Sequence, residues 1–340
     1  MLFRSVPGVE AAPDTGHRLA RVVEQAIDPN SPPVAQAMLR EVVARYPEGS
    51  ATIRDYMTLT FSAAPRPGAS RRDTEEVVRD LASRLPKLLD RLAQTGVGTA
   101  VPLSADELCE AVLVAYDPGA ATLVEQARAA GEPLNLSWDE IGPVAADNRW
   151  DHYVHNGAVS ATWGMNAPPG GTFQSNVLAD LLAPHRDIDR KRVTLLYEVM
   201  PSHKAADVVN KDVADTSFRE SSSPRPSARV RREARAAARA AEEEAAGAGV
   251  VNVGLLVTAT VVDPGLKPGQ RVTKRNRTRE GRLALALDDA GAAVDSLGSG
   301  AKIRLRRLYG SQDAAFTAAL PIGLNLSRHM RLPAEIRDAL

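Results

Sequence analysis

The stretch from Ile303 to Gly323 reads IRLRRLYGSQDAAFTAALPIG and leaves the backbone few paths to follow. A short strand ends at Leu308 and Tyr309, Gly310 turns the chain, and a short amphipathic helix carries Phe316 and Leu320 before Leu-Pro-Ile-Gly stops it. Strands and helices alternate upstream as well. Met57, Leu59 and Phe61 share one face of a strand over residues 52–61, with Thr58 and Thr60 opposite. Asp73 and Glu76 form a capping box for a helix bearing Val78, Leu81, Leu85, Leu88 and Leu92, in which Pro86 predicts a kink or a restart. A strand over 96–103 follows, and Ser104 caps a helix that ends near Tyr116-Asp117-Pro118.

A helical connector over 119–147 leads to a second series. Val159, Ala161, Trp163 and Met165 alternate with Ser160, Thr162 and Gly164 in a strand introduced by the Asn156-Gly157 turn. After a Pro-Pro-Gly-Gly loop come a helix over 173–182, strands over 193–200 and 251–261, a helix over 283–294 and a strand over 303–308. This order predicts an α+β chain with two ferredoxin-like or related α/β sandwich units, mainly antiparallel, plus a charged helical excursion. The boundaries are 1–118 for the first unit, 119–150 for the connector, 151–324 for the second unit with a helical or flexible insertion at 203–249, and 325–340 for a tail. Within the insertion, ESSSPRP at 220–226 reads as a link. A helix over 230–246 then sets Arg231, Arg232, Arg235 and Arg239 ahead of Glu242, Glu243 and Glu244, against the helix dipole, and is expected to project or to pack on a partner.

With 340 residues, 44% apolar and 25% charged, the chain can bury ample core and has the length of two domains. Its zero net charge hides an asymmetry. Residues 1–170 carry 15 basic and 22 acidic side chains, or −7; the remaining 27 of 42 basic and 20 of 42 acidic give +7. The longest apolar stretch, 250–262, falls short of the about 20 residues a spanning helix needs, and no signal peptide precedes residue 5. Cys109 is the only cysteine, so an intrachain disulfide is impossible, and its place on a stripe with Leu113 and Tyr116 predicts a buried thiol.

Three segments could carry chemistry. Asp151-His152-Tyr153-Val154-His155 offers two imidazoles three residues apart, a metal-ligand spacing on a helix; on a strand the two would point to opposite faces, and the following Asn-Gly turn favours the strand. Trp150 and Tyr153 are then expected to anchor the connector on the sheet. Gly265 to Arg271 approaches a phosphate-binding loop but lacks the Gly-Lys-Ser/Thr end, so no Walker A motif is present. The basic run Arg271, Lys274, Arg275, Arg277, Arg279 and Arg282 could meet an anionic partner, DNA or anionic lipid. No aromatic lies between Arg271 and Arg307 to stack on a base. Neither a Gly-x-Ser-x-Gly elbow nor a His-Glu-x-x-His helix occurs, and no catalytic, cofactor or metal residue can be assigned.

The order of the 303–323 unit, of Tyr116-Asp117-Pro118, of WDHYVHNG at 150–157 and of RVTLLYEVMP at 192–201 resembles a membrane-associated component of actinobacterial conjugation and type IV secretion-like clusters. More remotely it is similar to the N-terminal, non-motor domain of VirB/TraC-type conjugation ATPases. The resemblance implies a non-catalytic assembly part of a transfer apparatus, without cofactors. It implies the conjugation ATPase and inner-membrane transfer subunits as partners and a cytoplasmic position at the inner face of the plasma membrane. Members usually carry two spanning helices upstream of the matching region. Leu308, Tyr309, Phe316, Leu320, Pro321, Trp150 and Tyr153 are the residues that would form the shared structural signature. A DNA-binding accessory protein using the basic half, and an enzyme, remain as alternative readings.

Overall fold

The computed structural model describes residues 2–6, 33, 36–37, 55–61, 73–94, 99–167, 178–183, 185, 187–200, 202–222, 224–263, 265–266 and 271–324. Its class is α+β. The expected 168–171 loop, most of the 173–182 helix and the 325–340 tail lie outside the described residues.

The N-terminal part is a three-stranded antiparallel sheet. Strand β1 (Leu2–Val6) lies between β2 (Tyr56–Thr58) and β3 (Thr99–Pro102), with Phe3 opposite Met57 and Pro102. β2 stops at Thr58 with residues 59–61 irregular, while residues 52–54 and 96–98 of the two expected strands lie outside the described residues. Helix α1 (Thr74–Gln94) begins where Asp73 Oδ1 accepts the Glu76 N–H at 2.7 Å. The helix continues through Pro86 rather than restarting there. Ala82 and Pro86 are both exposed, so the carbonyl that proline leaves without a donor lies on the solvent side.

Helix α2 (Ala105–Tyr116) carries the Ser104/Glu107 capping box that the sequence calls for. A 3₁₀ turn at Pro118–Ala120 leads to α3 (Ala121–Ala130), which Gly131 ends at φ +70°. From there to residue 145 the connector is not helical, a correction to the 119–147 expectation. Its Glu-Pro-Leu-Asn stretch and the positive φ of Asn135 suit an irregular path.

The second unit is a six-stranded antiparallel sheet. Strands β4 (Ala146–Asn148), β5 (Tyr153–His155), β6 (Ala158–Ala167), β7 (Arg190–Val199) and β8 (Val251–Val262) follow the spatial order β4-β5-β6-β8-β7, and β9 (Arg304–Arg307) pairs the far half of β6. Between them lie α4 (Ala179–Leu182), α5 (Ser202–Ser221), α6 (Ala228–Ala245), α7 (Arg279–Gly300) and α8 (Gln312–Ala318). The run β6, α4, β7, β8, α7, β9 with spatial order β9-β6-β8-β7 is the split β-α-β arrangement of a ferredoxin-like unit.

Alternation sorts the sheet's two faces. Val159, Ala161 and Trp163 of β6, with Leu255, Val257, Ala259 and Val261 of β8, pack against Leu283, Leu287, Ala290 and Val294 of α7 and Leu181 of α4. The opposite face meets α8 and, through Phe316 and Leu320, the Cys109, Val112 and Ala115 stripe of α2. Helix α2 therefore shares its core with Tyr153 and the 303–323 unit, although it precedes the 118 boundary read from the sequence.

Candidate functional site

Phe316 is fully buried, and around its ring sit Tyr116, Tyr153 and His155 at centroid distances of 5.1, 5.4 and 4.8 Å. Leu320 is buried in the same cluster, whereas Leu308 packs with Leu256, Ala318 and Ala319 on the neighbouring part of the face. Pro321 is half-buried and its carbonyl accepts the Thr58 hydroxyl at 3.1 Å, tying the two sheets together. Gly310 takes φ +76° and its N–H donates to the Trp150 carbonyl at 2.6 Å. A Cβ there would stand 2.9 Å from the indole, so both conformation and space call for glycine.

This face is polar at its centre. The His155 Nδ1 lies 2.5 Å from the Tyr116 carbonyl, which can only accept, so that nitrogen carries the proton. The Nε2 lone pair then accepts from Ser160 Oγ at 2.7 Å, and Ser160 Oγ accepts from Thr260 Oγ1 at 2.6 Å. The next rung joins Thr162 and Thr258 hydroxyls at 2.9 Å. Gln312 completes the layer like an extra strand residue: its Oε1 accepts the Thr162 N–H at 2.8 Å and its Nε2 donates to the carbonyls of Thr162 and Leu308.

A serine bonded to a histidine is the pairing of a nucleophile with its base. Here His155 and Ser160 are sealed from solvent, so no substrate reaches the hydroxyl. Burial, more than any neighbouring charge, pushes the imidazole down to about 4, so it stays neutral. Arg192 lies over the Phe316 ring at 5.2 Å, and its buried Nη1 has no hydrogen-bond partner among the described residues. Burial pushes that guanidinium down to about 10.

His152 bonds Asp151 at 2.8 Å at the surface, so the two imidazoles of the segment have separate environments. No group of three or more metal-ligating side chains occurs among the described residues. Cys109 is buried beside Asp106 and Glu110, and desolvation, then those charges, raise its pKa.

The basic run is not one open cluster. Arg282 makes a bidentate pair with Asp263, with contacts of 2.7 and 2.6 Å, and Arg279 donates to the Gly157 carbonyl at 2.6 Å. Arg275 reaches Asp288 at 3.2 Å. Arg271, Lys274 and Arg277 are exposed. Half of the run thus braces the loop onto α7 and the β5–β6 turn.

Tyr153 anchors the connector as expected, but Trp150 does not: it is 72% exposed. Its ring stacks on the half-exposed Tyr309 at 6.1 Å and 23°. The pair rims a groove of ≈ 390 Å³ with Gly164, Met165, Asn166, Arg306 and Leu308. Arg307 lines the same groove, where it sits over the Trp163 ring at 4.9 Å and reaches Asp151 at 3.4 Å. The groove is not legible in the sequence because residues 150–166 and 306–309, which wall it, are 140 residues apart in the chain. Protein-family models and curated proteins yield no match to this chain.

Proposed function

We propose that this chain is a non-catalytic assembly component of a conjugative DNA-transfer or type IV secretion-like apparatus. Its partners are the conjugation ATPase and inner-membrane transfer subunits, at the inner face of the plasma membrane. The choice of apparatus rests on the ordered resemblance of the four segments. The assembly role rests chiefly on one observation: Trp150, at the edge of the second sheet, stands in solvent on a stacked Tyr309 beside a groove. Exposed Trp and Tyr at a rigid edge are the side chains that most often anchor protein interfaces. The hydrogen-bonded chemistry of the interior faces no solvent, which speaks for a rigid body that presents surfaces. Among the described residues, no helix is long and apolar enough to cross a membrane, so attachment there would run through partners or through other segments.

Affinity purification of the tagged chain from its native host, with nuclease treatment, tests this reading. Nuclease-resistant recovery of the ATPase and membrane subunits, lost on Trp150→Ala, is expected. Failure to recover any transfer subunit with the wild-type chain sinks it. The DNA-binding reading has one observation in its favour: Arg304 and Arg306, both exposed on β9, lie along the edge that carries the Trp150 stack, so a base and its phosphates would find partners together. Partners that disappear with nuclease, and retention on single-stranded DNA that falls steeply with salt, would favour that alternative.

A further inference from the structure

Between β7 and β8 the chain leaves the sheet as a helical hairpin, α5 followed by α6. Its extensive packing, among the described elements, is confined to the two helices themselves. The hairpin is an arm about 30 Å long, from the 20 residues of α5. Val230, Ala234, Ala237 and Ala241 form the inner stripe of α6, and Arg219 of α5 reaches Glu233 at 3.8 Å. The outer face is all charge and alanine. Arg231, Arg232, Arg235 and Arg239 are exposed on the half near the tip, and Glu242 and Glu243 on the half near the sheet.

Two apolar patches, one at the tip of the arm and one at its base, are exposed among the described residues. Phe218, at the tip, is 72% exposed. At the base, Tyr197 and Val199 of β7 and Val251 and Val253 of β8 are exposed where the ribbon runs past its helices. Patches of this kind mark contact surfaces.

We infer that the arm pairs with the arm of a second copy of this chain, α6 antiparallel to α6 about a two-fold axis. Charge complementarity selects this occupant. The block order of α6, positive then negative, is complementary to itself only when the second helix is reversed. Each Arg231–Arg235 end then lies beside the other copy's Glu242–Glu243 end. The reversed neighbour also brings acidic side chains to the N-terminal end of each helix and basic ones to its C-terminal end, correcting the unfavourable order within one helix. The same operation carries the tip of each arm to the base of the other. Phe218 of one copy is thereby carried toward the end of the second at which Tyr197, Val199, Val251 and Val253 are exposed. Salt bridges on an exposed surface contribute little by themselves, and the tip-to-base contact supplies the apolar burial.

Sedimentation velocity of the full chain over a concentration series tests the inference. The wild type should form a dimer that weakens as salt is raised. Arg231→Glu with Arg235→Glu sets Glu against Glu, and Glu242→Arg with Glu243→Arg sets Arg against Arg, so each double variant should lose at least about tenfold in dimer affinity. Mixed in equal amounts, the two variants should recover a dimer, because each supplies what the other lacks. All four positions are exposed, and circular dichroism confirms that the variants fold. Phe218→Ser should weaken the dimer without altering its salt dependence. A wild type that stays monomeric at the highest reachable concentration overturns the inference. Double variants that dimerise as well as wild type, or a mixture that remains monomeric, overturn it equally. None of these outcomes depends on what meets Trp150.

Discussion

The ring of His155 and the hydroxyl of Ser160 form a 2.7 Å hydrogen bond within a space that solvent does not enter, and the Tyr116 carbonyl fixes which imidazole nitrogen bears the proton. The pair works as a pH-dependent structural brace.

Its sign follows from the depressed pKa of about 4 against an ordinary value of 6.5. Above 6.5 the imidazole is neutral in both folded and unfolded chains, and the brace contributes fully. Between 6.5 and 4 the unfolded chain takes up the proton first, so stability falls as pH falls, by at most about 3 kcal/mol. Urea unfolding at pH 7.5, 5.5 and 4.5 should show this slope, and His155→Gln should flatten it. An equal slope in the variant would assign the pH dependence to other groups.

Gln312→Met keeps the size of the side chain and removes three hydrogen bonds to Thr162 and Leu308. The Thr162 N–H loses its acceptor, which costs about 1–3 kcal/mol, while the Thr162 carbonyl keeps the Leu308 N–H at 3.0 Å. Hydrogen exchange at the Thr162 amide should accelerate well beyond that of its neighbours on β6. Unchanged protection would mean that the amide is held by something else.

Phe316→Ala opens a cavity at the point where α8, α2 and β5 meet, and should cost about 3–5 kcal/mol in chemical denaturation. Retention of the wild-type midpoint would contradict a packed ring.

The loop arginines should divide by role. Arg282→Ala and Arg279→Ala remove contacts to Asp263 and Gly157 and are expected to lower the melting temperature. Arg271→Ala and Arg277→Ala should leave it unchanged, since both side chains stand on the surface. Equal effects at all four positions would mean that the loop acts through its total charge.

Cys109 should resist alkylation in the native chain and react at once in denaturant, because the thiol is buried and its pKa raised. Rapid modification without unfolding would place it at the surface.

Most strands and helices of the second unit were legible because a two-residue alternation at 158–165 and the glycine and proline punctuation at 310 and 321 act locally. The Ser104 cap was equally readable. What the sequence conceals is the company each residue keeps. Trp150 reads as an anchor because tryptophan is usually buried, and nothing local reveals that its ring stacks on Tyr309, 159 residues away, at the surface. Arg275, Arg279 and Arg282 looked like part of an open basic run because Asp288, Gly157 and Asp263, which engage them, enter only through tertiary contacts. The polar centre of the sheet was hidden for the same reason. Serines and threonines at alternate positions carry no local sign of burial, and it is α8 with Gln312 and Phe316, together with His155 of β5, that makes this face an interior.

Strands β7 and β8 remain paired to the last rung beneath the arm, Val199 opposite Val251, and Met200 N–H still donates to the Val250 carbonyl at 2.9 Å. The ladder is therefore closed before the arm begins, and its register owes nothing to the helices that interrupt it. A chain with a short turn at this point would keep the same rungs from Arg190–Thr260 to Val199–Val251. Lengthening, exchanging or losing the arm changes how far the protein reaches while leaving its foundation alone, so attachment can evolve without a toll on folding.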